Sequence, residues 1–326
     1  MRVAQFNEFG GPQALRIEEV PEPSPGPGEI LIKATAVGLN FFDTLMLRDK
    51  YQVSPPLPFS PGAEIAGPIE ALGEGVTGFE VGQRVVAFIG GNGCRERLVT
   101  KAKNAIPIPD GVSDEVAAGI VITYGTALHA LKDRANLQPE ESVAVLGAAG
   151  GAGVAAVEIA KLMGARVIAV ASSEEKLDFA KAHGADEGVN YSDVDLKKKL
   201  KELTLPKGVD VLYDCVGGSA AEPSLRAMAW EGRYLVLGFA SGEIPRIPLN
   251  LVLLKGCQIV GVFWTSFVDR EPEQHRANKA QLLDWCKEGK IDPHIHEVFP
   301  LEQTAKALSL IEGRKVTGKV IVNPQA

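Results

Sequence analysis

The sequence predicts an α/β protein in which a doubly wound parallel sheet is carried beside a separate, barrel-like antiparallel β domain. Three observations predict it. Up to about residue 120 the apolar stretches are short ("RVAQF", "EILIKATAVGLN", "QRVVAFIG") and are divided by Gly- and Pro-rich turns such as "PEPSPGPGE". Beyond that point apolar strands and amphipathic helices alternate, the pattern of a parallel sheet. A glycine-rich stretch, "LGAAGGAG", falls where the first strand of the alternation passes into a helix.

The elements follow in order. Ser113 before Asp114 and Glu115 marks a helix start, and a long helical stretch runs on through "TYGTALHALKDRA". Then come the strand "SVAVLG", a helix from Gly151, the strand "ARVIAVA", the helix "EEKLDFAKAHG" and the strand "GVDVLYD". The helix "LRAMAW" and the strands "RYLVLG" and "CQIVGVFW" complete the alternation. After about residue 265 a helix around "QLLDWCKEG", the segment "HIHEVF", the helix "LEQTAKALSLIEG" and a last strand "GKVIV" remain, and these could pack on either domain. The lysines of "DLKKKLKEL" read as a solvated helix face.

Composition narrows the function. The chain has 326 residues and a net charge of -7, without the basic surplus that nucleic-acid binding demands. Its four cysteines, Cys94, Cys215, Cys257 and Cys286, lack the close spacing of a zinc knuckle or a redox dithiol. The opening "MRVAQFNEFGG" has no apolar signal core, and Glu158 and Lys161 interrupt the longest Ala/Gly/Val run before it can span a bilayer. A cytoplasmic protein with a small-molecule partner, without nucleic acid or membrane, is the expectation.

Ala148, Gly150 and Gly153 form an A-x-G-x-x-G pattern between strand and helix, the context of a dinucleotide site. Backbone at Ala149, Gly150, Gly151, Ala152 and Gly153 would receive the pyrophosphate at the helix start, with Gly153 letting the helix sit close on the sheet. An NAD site usually has an acid at the end of the second strand, to accept from the ribose 2′-OH; here Ala171 and Ser172 stand there, with Lys176 one helical turn on. That favours NADPH. The alternative reading is that Ser172 or Ser173 caps the helix and Lys176 is only a surface residue.

The chain resembles the zinc-independent quinone oxidoreductases of the medium-chain dehydrogenase/reductase superfamily almost end to end. The likeness is carried by "VGLNFFDTL", "PFSPGAEIAGPIEALGEGVTGFEVGQRV", "TYGTALHAL", "LGAAGGAG", "GVNYSD", "YDCVGG" and "RKVTGKV", in that order. The resemblance implies a Rossmann NADPH-binding domain (123–265) inserted in a GroES-like β-barrel catalytic domain (1–122, completed by 266–326), with the active site between them. It also implies a homodimer joined through "QIVGVFW". Lys176, Tyr191 and Arg314 match positions around the 2′-phosphate; Asn40 and Thr126 match positions near the nicotinamide, whose other side Gly238, Phe239 and Phe263 would line. Tyr191 could instead be a buried strand-end aromatic, and Arg314 a helix-end cation.

Zinc-dependent relatives place a cysteine within the stretch that reads "LNFFD" here, and a histidine where Ala63 stands between Gly62 and Glu64. His294 and His296 alternate along a strand without a third ligand, and no metal is expected. Without a Lewis acid, an acceptor that is already electron-poor is the natural substrate. The expected activity is hydride transfer from NADPH to a quinone or related electron-poor carbonyl. Two alternatives stay open: an NADPH-dependent enone or enoyl C=C reductase, and an NADPH-binding regulatory or structural protein with little turnover. Candidate catalytic residues are Asn40, Asp43 and Tyr51; Asp43 could equally hold its own loop. Leu45 stands where relatives often have a substrate-facing tyrosine.

Overall fold

The computed structural model describes residues 1–326. The chain divides into two units, one of Met1–Ile122, Lys279–Gly289 and Pro293–Ala326, the other of Thr123–Asn278 and Lys290–Asp292. The chain returns to the first unit at Lys279, where the sequence predicts a return at residue 266. The physical reason is a cluster inside the second unit: His275 lies edge-on to Trp264 and Phe267, with ring centroids 5.3 and 6.4 Å away, and Asn278 donates to Asp133 at 3.2 Å.

The first unit contains β1 (Arg2–Gln5), β2 (Arg16–Glu19), β3 (Glu29–Lys33), β4 (Ala36–Leu39), β5 (Glu64–Leu72), β6 (Arg84–Phe88), β7 (Arg97–Lys101) and β8 (Ala105–Pro107). The second unit supplies β9 (Ser142–Leu146), β10 (Arg166–Ala171), β11 (Glu187–Asn190), β12 (Val209–Asp214), β13 (Met228–Val236) and β14 (Gln258–Gly261). Two more strands, β15 (Ile295–Pro300) and β16 (Lys319–Asn323), return to the first.

In the first unit, eight strands form a branched sheet in the order β15-β16-β4-β5-β3-β7, with β6 and then β8 attached to β5. All its pairings are antiparallel except β15 with β16. Strand β5 serves two neighbours in turn, its first residues pairing with β4 and its last with β3. The expected barrel rhythm therefore takes the form of a branched antiparallel sheet around a core that includes Ile30, Ile32, Val37, Ile65, Phe299 and Val322. Register brings three strand ends together: Leu39 pairs with Val320, and Gly38 with Glu64. Asn40, Glu64 and Lys319 consequently meet at one place.

The second unit is a six-stranded sheet, parallel throughout, in the order β11-β10-β9-β12-β13-β14. This is the Rossmann order, with the reversal between β9 and β12. Strand β9 is buried at all five residues, as a central parallel strand should be. Two expectations differ from the structure. The stretch "LRAMAW" is strand from Met228 onward, because Met228 pairs with Val209 and tertiary pairing overrides helix propensity. The long helix after Ser113 is broken into Asp114–Ile120, Thr123–Leu128 and a π-helical turn, His129–Arg134. Ser113 does start the first piece, accepting from Val116 N at 3.2 Å. No helix is long and apolar enough to cross a membrane.

Candidate active site

The glycine turn begins at the end of β9. Gly147 has φ 71°, open to glycine at little cost, and its carbonyl accepts from Gly150 N at 3.0 Å. Gly150 is the extended N-cap of the helix Gly151–Leu162 and no side chain caps it. Val154 N closes the first turn on Gly150 O at 2.8 Å, so the amides of Gly151, Ala152 and Gly153 precede the first intrahelical bond. A Cβ at Gly153 would lie 2.1 Å from Gly147 O, whereas one at Gly150 would meet nothing closer than that same oxygen at 3.5 Å. Gly153 thus serves close packing, and Gly150 leaves open the approach to a bare helix start. Such a cradle fits a pyrophosphate.

At the ends of β10 and β11, Ser173 accepts from Lys176 N at 3.4 Å and is the cap of the helix Glu174–Ala182. Ser172 is therefore not the cap. Its Oγ lies 3.3 Å from Lys176 Nζ, and its carbonyl accepts from Ser192 Oγ at 3.2 Å. Tyr191 N bonds Ala171 O at 3.1 Å, and the Tyr191 side chain is exposed rather than buried. The nearby carboxylates of Glu174 and Asp193 both accept from Asn190 Nδ2, at 3.3 and 2.6 Å. Ala171, Ser172, Lys176 and Tyr191 are thus brought together, and Ser192, which sequence reasoning missed, joins them. Its only signal in the sequence is a hydroxyl next to Tyr191 at a strand end.

The turns after β12 and β13 complete this end of the sheet. Asp214, buried, accepts from Val216 N and Gly217 N at 2.8 Å each and from Tyr234 Oη at 2.5 Å. Ala240 N bonds Cys215 O at 3.1 Å, which holds Gly238 and Phe239 alongside the β12 turn. Phe263, the N-cap of the helix Trp264–Arg270, is 56% exposed. Thr126 is the one residue of its helix that is not buried.

In the first unit, Asn40 caps the short helix Phe41–Met46. Asp43, with no exposed surface, accepts from Asn40 N at 2.8 Å and from Gly62 N at 2.9 Å. Burial pushes its carboxyl up to about 6, against the lowering effect of those two amides and of Lys319. Tyr51 is half-buried with its ring 5.6 Å from that of Phe42. Arg314 is exposed beyond the helix Thr304–Glu312, at φ 54°.

Glu64 and Lys319 stand at the centre of this region. Lys319 Nζ donates to Glu64 Oε1 at 2.6 Å, to Asn40 Oδ1 at 2.8 Å and to Leu39 O at 3.0 Å. Glu64 Oε1 also accepts from Asn40 Nδ2 at 2.9 Å, and its Oε2 accepts from Ile122 N at 2.7 Å. Both ionic side chains are buried. Sequence reasoning uses Glu64 only to locate a missing histidine; the available signal is a charged residue opening each of two largely apolar strands, Glu64 on β5 and Lys319 on β16.

Two family models match the chain: the alcohol dehydrogenase GroES-like domain over residues 26–135 and the zinc-binding dehydrogenase domain over 151–285. Quinone oxidoreductase-like protein 2 of Rattus norvegicus is 40% identical over 312 residues, which is 95% of this chain and 89% of that protein. A mycobacterial structure solved with NADPH superposes with a TM-score of 0.93 at 32% identity, covering 99% of this chain and 100% of the other. The Escherichia coli quinone oxidoreductase complexed with NADPH superposes with a TM-score of 0.91 at 28% identity, over 99% of this chain and 100% of the other. With both halves matched by sequence and by fold, this chain belongs to the zinc-independent quinone oxidoreductase type of medium-chain dehydrogenase/reductase enzymes.

Proposed function

We propose that this enzyme reduces quinones or related electron-poor carbonyl compounds with NADPH and without zinc. The observation that carries the cofactor assignment is the end of β10, where Ser172 Oγ and Lys176 Nζ stand 3.3 Å apart and the strand offers no acid for a ribose hydroxyl. NADPH, when bound, supplies the hydride. The chain's own part is to hold the pyrophosphate on the amides of Gly151 to Gly153 and the 2′-phosphate on Ser172, Lys176 and Tyr191. Gly238, Phe239, Phe263 and Thr126 confine the nicotinamide. Asp43 serves as a staple for its loop, since both its oxygens already accept backbone amides. That leaves Tyr51 or a water on Asn40 to return the proton.

Zinc independence rests on Phe41 and Ala63 standing where ligands would be, while Glu64 is committed to Lys319, Asn40 and Ile122. A homodimer is supported by β14, which pairs on one side only, and by a group of exposed apolar side chains: Trp230, Leu249, Leu253 and Leu254 are more than 70% exposed. A second copy pairing edge to edge would cover them.

One experiment tests the reading: NADPH and NADH oxidation followed with benzoquinones, naphthoquinones, alkenals and crotonyl thioesters, before and after chelation. We expect quinone turnover that survives chelation, with kcat/KM for NADPH tenfold to several-hundredfold above NADH, from about 1.5–3 kcal/mol per surviving charge-assisted bond. Lys176→Ala should raise KM for NADPH alone. Turnover confined to the alkenals or thioesters would replace the acceptor class, no turnover would favour a binding protein, and equal use of both cofactors would refute the β10 assignment.

A further inference from the structure

We propose that Glu64 and Lys319 are positioning residues that lock the Asn40 carboxamide in one orientation, so that Asn40 presents a single N–H donor to an oxygen of the acceptor or of a bound water. This rests on the functional reading above and deepens it.

Hydrogen-bond capacity separates the three residues. A lysine ammonium has three donors, and those of Lys319 are all used, on Glu64, Asn40 and Leu39. Glu64 accepts from Lys319 and Asn40 on one oxygen and from Ile122 N on the other. Lys319 has no proton to spare, and both oxygens of Glu64 are engaged in holding neighbours. Asn40 differs: its Oδ1 faces the ammonium, one Nδ2 hydrogen faces the carboxylate, and the second Nδ2 hydrogen is unspent.

Rotating the amide by half a turn would set its NH2 against the Lys319 ammonium and its oxygen against the Glu64 carboxylate. Both contacts would be repulsive at hydrogen-bond distance in a buried site, where charge interactions are strong. The pair thus removes the ambiguity that a carboxamide ordinarily has. Asn40 is 7% exposed, whereas Glu64 is 0% and Lys319 2% exposed. The ion pair contributes direction, and its two charges cancel.

The test is the double variant Lys319→Met, Glu64→Gln, which removes both charges together and so avoids stranding one of them. The introduced glutamine side chain would turn its oxygen to Ile122 N and its NH2 to Asn40, which reverses the Asn40 amide. Three quantities are read: thermal unfolding, the Asn40 side-chain 15N–1H2 resonances in asparagine-labelled protein (assigned by their loss in Asn40→Asp), and kcat and KM with a quinone. We expect a folded variant with shifted Asn40 amide resonances, kcat reduced at least about tenfold, and an unchanged NADPH-to-NADH selectivity. A role confined to stability would lower the unfolding temperature and leave the resonances and kcat alone. That outcome, or displaced resonances with parental kcat and KM, would overturn the proposal. Should the double variant not fold, the charge-conserving Lys319→Arg, which keeps the Glu64 carboxylate paired but redirects the donor that faces Asn40 Oδ1, is read the same way. A parent that turns over no acceptor would instead refute the proposed function, and the amide resonances alone would then decide whether the pair fixes Asn40.

Discussion

Two lysines beside polar partners behave oppositely in this enzyme. Lys319 is buried, bonded to three acceptors and paired with a carboxylate whose two oxygens are both engaged. Lys176 lies on a helix at the edge of a sheet, 3.3 Å from a serine hydroxyl, within a cluster whose tyrosine is exposed. A charge buried among satisfied partners fixes its neighbours in place, because every alternative arrangement strands a donor or an acceptor. A half-exposed cation beside hydroxyls can exchange a partner for an incoming anion. In the proposed function, the first region directs and the second binds.

Four substitutions break or sharpen this contrast. The largest effect belongs to Glu64→Ala alone, which leaves the Lys319 ammonium buried without a carboxylate and Ile122 N without its acceptor. Unfolding in denaturant should show a loss of about 3–5 kcal/mol. A loss under about 1 kcal/mol would mean that the pair is far better solvated than its burial implies.

Next comes Asp43, whose carboxyl is raised by burial from 3.8 to about 6. The folded state holds this proton more tightly than the unfolded chain, so the contribution is present at low pH and is lost as pH rises through about 6. Relative to Asp43→Asn, the parent should lose up to about 3 kcal/mol between pH 4 and pH 7, at 1.36 kcal/mol per pH unit. Paired unfolding curves across that range measure it; a difference that grows with pH would show that the Asn40 and Gly62 amides outweigh burial.

Gly153→Ala should cost about 1–3 kcal/mol, because its Cβ would meet Gly147 O at 2.1 Å and force the helix off its turn. Fluorescence titration should show weaker NADPH binding as well, and parental values of both would mean that the turn yields without cost. The smallest effect on stability is that of Lys176→Ala, within about 0.5 kcal/mol of the parent by the same unfolding assay. A larger loss would make Lys176 a structural residue and remove the contrast with Lys319.

Much of this was legible in the sequence. The strand and helix alternation from Ser142 onward, the glycine turn, and the absence of an acid at Ala171 are local patterns, and local patterns report local geometry. Ser173 as a cap was readable only as one of two serines, since both precede the same helix and backbone direction decides between them. The start of the strand Met228–Val236 is not legible locally, because its pairing with β12 outweighs the helical character of "LRAMAW".

What the sequence by itself determined is the periodicity of the two units and the chemistry of the glycine turn, because each is written within a few dozen consecutive residues. Only the tertiary structure decided what surrounds Asn40. Glu64 and Lys319 are separated by 255 positions, and nothing in either neighbourhood names the other. They meet because β4 pairs with both β5 and β16, so that three strand ends coincide in register. Burial then pairs the two charges, and the bonds that both make to Asn40 fix the amide between them.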